Sequence, residues 1–140
     1  MNLLASDIAI LAAGAFFLNA LLTGVWKFRQ MAASSDGQAH RYVDIAHRAS
    51  LMYSFAALLL AVFAAISQLP DMIEILATVL VLVYFALAIA SYMVQGLRRQ
   101  TDNQIADMSI AGRFFMWSLV VGEIGGFVVL FYGVIVATLA

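Results

Sequence analysis

The chain has no cysteine, so neither a disulfide framework nor a cysteine metal site is open to it. Charge is scarce as well: Asp, Glu, Lys and Arg make up 11% of the residues, where a soluble domain carries about a quarter. The formal net charge of −1 argues against nucleic acid as a partner. Met1 to Asp7 holds no basic residue, so the first apolar run is expected to stay as a helix and not to leave as a cleaved signal. Proline occurs once, at position 70. What fills the space is apolar: 65% of the 140 residues are hydrophobic, an excess that fits helices facing lipid better than a globular core. The lipid bilayer is the partner this composition implies.

Four apolar runs stand out: Ile8 to Trp26, Ala49 to Leu69, Ile75 to Val94 and Phe114 to Ala140. Each is near the ~20 residues a spanning helix needs. The expected fold is therefore all-α, one integral membrane domain of four antiparallel helices. Ser6 or Asp7 is placed to cap the first helix. Asp36-Gly37 is a turn signal after which a helix can restart and run into the second span. Pro70 suits the first turn of the third helix, with Asp71 and Glu74 at the positive end of its dipole. Thr101 or Asp102 is placed to cap the fourth helix, whose first turns, Asn103 to Gly112, read as amphipathic and outside the lipid.

All seven cations fall on one side of such a bundle. Lys27, Arg29, Arg41 and Arg48 flank the first connection, and Arg98, Arg99 and Arg113 flank the third. The other side has Asp7, Asp71 and Glu74. The Lys/Arg rule puts both long connections in the cytoplasm and both termini outside, in a bacterial-type inner membrane. Trp26, Phe28, Tyr42, Phe114, Phe115 and Trp117 then form an aromatic belt at the basic interface.

Glu123 is the residue least expected in such a chain. It lies ten residues beyond Arg113, which is roughly 15 Å along a helix and near the middle of a hydrocarbon core about 30 Å thick. A charge at that depth costs about 2.5 to 3.5 kcal/mol on insertion scales. The carboxyl is therefore expected to be protonated, hydrogen-bonded or turned to a polar cavity. Counted from the nearest cation, Asn19, Tyr53, Ser54, Ser91 and Tyr92 lie roughly 8 to 15 Å deep on the same side. Together they suggest one pocket open toward the basic side, with His47 near its mouth and Glu123 at its floor. The bland alternative is a set of interhelical hydrogen bonds that only hold the bundle, each worth about 0.6 kcal/mol.

Two further patterns carry chemistry or packing. The second helix opens Ala39-His40-Arg41-Tyr42-Val43-Asp44-Ile45-Ala46-His47-Arg48, and positions 40, 44, 47, 51 and 54 share a helical face. There Asp44 can accept a ring N–H and leave the other nitrogen of His47 as a base or metal ligand. The plain reading is a polar helix start with an Asp44–Arg48 ion pair. No His-x-x-x-His or Glu-x-x-His pair accompanies His47, so an all-protein metal site is not indicated. On the fourth run Ser118, Gly122 and Gly126 recur every four residues, with Gly133 on the same face, and let backbones approach closely, within the chain or between protomers. The methionines read as packing.

The Ala46-His47 entry resembles that of the styrene oxide isomerase and hydroxylaminobenzene mutase group, small four-span membrane proteins that rearrange lipophilic molecules. Gly24-Val25-Trp26 and Asn103-Gln104 are similar in placement. The sixth residue after the histidine is Tyr53 where the isomerases have Asn, and Ser54 stands where a glycine follows it. The resemblance implies His47 as ligand of a heme b lying between protomers of a trimer, its iron a Lewis acid on an epoxide oxygen. The membrane-associated eicosanoid and glutathione family is similar in topology, basic first loop and Ala-His-Arg entry, but its Asn and Glu after that entry are missing.

Three functions remain open on these residues. One is an intramembrane enzyme, heme-dependent or acid/base, with His47 and Asp44 as a pair and Glu123, Tyr53 and Tyr92 lining its pocket. The second is a subunit or assembly factor of a larger membrane complex, docking through the fourth helix. The third is a proton-coupled carrier using Glu123.

Overall fold

Long apolar runs broken by short polar connections form helices nearly end to end. The computed structural model describes residues 4–103, 105–106 and 108–139. It contains α1 (Ala5–Ala33), α2 (Arg41–Ile66), α3 (Asp71–Arg98) and α4 (Ile110–Leu139), and no strand among the described residues. All four are long and apolar enough to cross a membrane. At 26 to 30 residues they extend roughly 39 to 45 Å, longer than the ~30 Å core, so their ends reach the interfaces. Leu22, Met52, Leu76 and Val121, one on each helix, are 61 to 68% exposed. Exposed apolar side chains on every helix are what a bilayer solvent requires. The chain is a multi-pass membrane protein.

The helix ends follow local chemistry, and two of them correct the sequence expectation. Neither Ser6 nor Asp7 precedes α1; Leu4 does, and the Asp7 carboxylate reaches back to accept its N–H at 3.1 Å. The turn at Asp36-Gly37 is present, with Gly37 at φ +68° and the Asp36 carboxylate taking the Ser34 hydroxyl and, at 3.0 Å, the Gln38 N–H. These bonds hold the exposed Asp36 carboxyl below the usual carboxylate range. Pro70 stands at the N-cap of α3, just outside its first turn. α4 begins at Ile110, not after Thr101 or Asp102, and the described residues Asn103, Ile105, Ala106, Met108 and Ser109 precede it. Its cap is Ser109, whose hydroxyl accepts the Gly112 N–H at 3.2 Å while its carbonyl accepts from Arg113. Gln104 lies outside the described residues.

The bundle is antiparallel, and α2 and α3 form its middle. They bury 33% and 44% of their spans against 22% for each of α1 and α4. α1 lies along α2 and touches α3, α4 lies on α3 and α2, and among the described residues α1 and α4 do not meet. In section the four helices make a rhombus with the terminal helices at its far corners. Small residues set the α1–α2 approach: Ala5, Ala9, Ala13 and Ala20 face Ala46, Ser50, Ala57, Ala61 and Ala64, all buried. Larger groups fill the other side. Tyr53 stacks on Phe85 at 4.1 Å between ring centres, and Phe63 stacks on Phe127 and Phe131. Tyr42 leaves the expected interface belt, buried and stacked on Tyr92, while Trp26 is half-buried at the basic end and rests against Gly96.

Gly122 and Gly126 of α4 meet α3 within the chain. A Cβ at Gly122 would collide with the Tyr84 ring, and one at Gly126 would come within 2.6 Å of Val81 Cγ2 and 2.8 Å of the Ala77 carbonyl. Gly133 meets Ser67 and Leu69. Ser118 is half-buried and turns its hydroxyl to the Phe115 carbonyl at 2.7 Å.

Candidate functional site

Two regions carry the polar groups, on opposite sides of the α2–α3 pair, one toward the basic end and one near the middle of the bundle. The first is the seam between α1 and α2. The Asn19 amide donates to the Ser50 hydroxyl at 2.8 Å and also approaches Met93 Sδ on α3 at 3.7 Å. Ser50 in turn donates to the Ala46 carbonyl at 2.7 Å, and Thr23 to that of Asn19 at 2.7 Å. His47 Nδ1 lies 2.9 Å from the Ala20 carbonyl. A carbonyl only accepts, so Nδ1 carries the proton in this bond and a neutral ring keeps a lone pair on Nε2. Gly24 makes room for the ring; a Cβ there would sit 3.1 Å from His47 Cε1. Toward the basic end Asp44 binds Lys27 at 2.6 Å and Arg48 at 3.0 Å.

Asp44 therefore does not orient a histidine. Its oxygens face two cations, and its hydrogen-bonding role toward His47 is taken by the Ala20 carbonyl. His40 is not on a shared helical face with it either. It caps α2, with Nδ1 accepting the Tyr42 N–H at 3.3 Å, and its Nε2 lies 3.4 Å from Asp102.

The second region is a groove between α2, α3 and α4. Gly122 and Gly126 draw α4 onto α3, and Glu123, one residue on, lines the groove beside them. The groove holds about 310 Å³ and is lined by Ala56, Leu59, Leu60, Val81, Phe85, Ile124 and Phe127 besides the acid. Glu123 Oε1 is buried there with no hydrogen-bond partner among the described residues. A polar atom left so costs about 1 to 3 kcal/mol unless a guest or water answers it. Tyr53 and Tyr92 lie within electrostatic reach of the carboxyl. They line a separate, wider recess of about 520 Å³ with Ile45, Arg48, Ala49, Leu51 and Met52.

The polar groups expected to share one pocket do not share one chamber. Glu123 lines one groove and Tyr53 and Tyr92 a separate recess, while Asn19 and His47 belong to the opposite seam. Ser54 is buried and donates to the Leu51 carbonyl at 2.6 Å, and Ser91 is half-buried on α3 beside Tyr92. Depth and residue type alone do not single out Ser50 and Met93, the partners of Asn19. The four-residue step from Ala46 to Ser50 to Ser54 was the available signal for Ser50. Two more polar atoms are buried without partners near the acidic end of α3, Glu74 Oε1 and Thr78 Oγ1. Among the described residues no cluster of three acidic, histidine or cysteine side chains forms a metal site. Compared with protein-family models, curated proteins and solved structures, the chain gives no match.

Proposed function

We propose that this multi-pass protein is an intramembrane enzyme that takes a small lipophilic substrate into the α2–α3–α4 groove, with Glu123 as its polar anchor and acid–base group. The observation that carries this reading is the lone Glu123 Oε1 in an otherwise apolar cleft. Such an atom fits a guest that is apolar over most of its surface and offers one O–H or N–H. Tyr53 and Tyr92 supply two further hydroxyls on the same side of the bundle. A buried general acid or base within reach of its substrate's proton is the usual equipment for isomerisation or elimination without a metal. The Lys/Arg excess supports a cytoplasmic basic end. The test is a comparison of small molecules extracted from purified wild type and Glu123→Gln by mass spectrometry. An apolar compound bound near one per chain in wild type, and at least about tenfold depleted in the variant, is expected. Equal amounts in both would reject the groove as the site.

A second reading rests on His47. Its tautomer is held by a backbone carbonyl, Gly24 leaves its ring uncrowded by a side chain, and Nε2 has no hydrogen-bond partner among the described residues. His47 would be the residue to hold a heme iron, with the Ala20 carbonyl fixing its ring from behind. A heme bound there would supply a Lewis-acidic or redox-active iron. A Soret band in the purified protein that vanishes in His47→Ala supports this reading. A colourless preparation from heme-replete cells removes it.

A further inference from the structure

We propose that the cavity at the basic end, between the last turns of α1, the 34–40 connection and the C-cap of α3, binds a phosphate-type oxyanion, either a lipid headgroup or a free phosphate compound. The reasoning begins with which cations are already answered. Lys27 and Arg48 share Asp44. Arg29 and Arg99 have no carboxylate within ion-pair distance among the described residues, although they come from helices far apart in sequence. Both line a single cavity of about 540 Å³, together with Trp26, Gln30, Gln38 and His40.

The opposing charge in the wall is modest. Asp36 lines the same cavity, but its carboxylate is tied into its own turn by the Ser34 hydroxyl and the Gln38 N–H. His40 already has Nδ1 on the Tyr42 N–H and Nε2 toward Asp102. Two guanidinium groups thus face one turn-bound carboxylate, which leaves room for an anion.

The cavity wall is also held in place before any ligand arrives. The His40 N–H donates to the Gln30 side-chain carbonyl at 2.9 Å, fastening the connection to α1. Trp26 is braced against Gly96 of α3, where a Cβ would meet its Cη2 at 3.1 Å. Arg99 is held in the left-handed region at φ 50°, ψ 33°, the one non-glycine residue at positive φ among those described. Helix C-caps in that conformation are ordinarily glycine, because a Cβ disfavours it. Here the chain accepts the strained position with a residue whose side chain lines the cavity.

The chemistry then selects the ligand. A guanidinium offers a planar fork of N–H donors that matches two oxygens of a phosphate, and two such forks suit a doubly charged or diester oxyanion better than a lone carboxylate. Basic pockets between helix ends, level with the interface, lie where lipid phosphates are densest. An indole in the wall suits the same depth.

The full chain in detergent tests this with two arms. In the first, native mass spectrometry follows phosphatidylglycerol and, as a headgroup-free control, diacylglycerol. In the second, inorganic phosphate is titrated against Trp26 fluorescence in a Trp117→Phe background. Arg99→Gly keeps the cap conformation while removing the guanidinium, so it separates binding from folding, and Arg29→Gln is its partner variant. Retention of phosphatidylglycerol by wild type, weakened roughly tenfold in either variant with diacylglycerol unchanged, establishes a headgroup site. A saturable Trp26 shift with phosphate that the same variants abolish establishes a site for a soluble phosphate compound. If wild type and Arg99→Gly bind both probes alike, or neither binds to wild type, the proposal is overturned.

Discussion

The two sides of the α2–α3 pair answer their polar groups in opposite ways. On the α1 side, alanines and serines let the helices approach, and Asn19, Thr23, Ser50, His47, Lys27 and Asp44 all find partners. On the α4 side, glycines bring α4 onto α3, yet leucines and phenylalanines hold a groove open toward α2, and Glu123 Oε1 is left alone in it. The first arrangement is what stability alone produces. The second retains an unfavourable atom, which is typical of sites kept for binding or chemistry.

This contrast can be broken experimentally, beginning with the largest effect. Gly126→Leu should destabilise the bundle by about 3 kcal/mol, since Val81 and the Ala77 backbone leave no space, whereas Gly125→Leu at the adjoining open position should leave it unchanged. Thermal unfolding in detergent reads both, and equal effects would deny that α4 is seated through one face. Asn19→Leu should destabilise by about 1 kcal/mol, because it removes the Asn19–Ser50 bond that ties α1 to α2 and leaves Ser50 only its bond to the Ala46 carbonyl. Glu123→Leu should go the other way, raising stability by about 1 kcal/mol while losing the bound guest. A destabilised Glu123→Leu would show that the carboxyl belongs to the packing, as Asn19 does. The smallest effect is Lys27→Met, about 0.5 kcal/mol at low ionic strength and fading in high salt, as a partly exposed ion pair requires.

Much of the architecture was legible in the residues. Run length and composition were enough for the four helices, and the distribution of lysine and arginine for which ends lie together. The small-residue rhythm of Ser118, Gly122 and Gly126 marked a close-packed face. Depth was legible too, because each residue adds a fixed rise. Azimuth was not: the compass direction of a side chain depends on which helices are neighbours. Nothing in the chain order reveals that α1 and α4 stand at opposite corners. This is why Glu123 and His47 were assigned one pocket, and why Asp44 was given to a histidine when Lys27, on another helix, was its partner. The start of α4 was missed because Thr101 and Asp102 are as good caps by type as Ser109.

The mouth of the Glu123 groove is framed by Leu59 and Ile124, both well exposed on the outer surface of the bundle. Such an opening faces acyl chains and not water. A solute of this groove would arrive sideways, already dissolved in the membrane, where an oily compound accumulates far above its aqueous level. Occupancy would then follow partitioning into the bilayer, and a loose grip would suffice to keep the cleft filled. A screen run only in aqueous buffer would rank its guests by solubility and overlook the ones it meets in the cell.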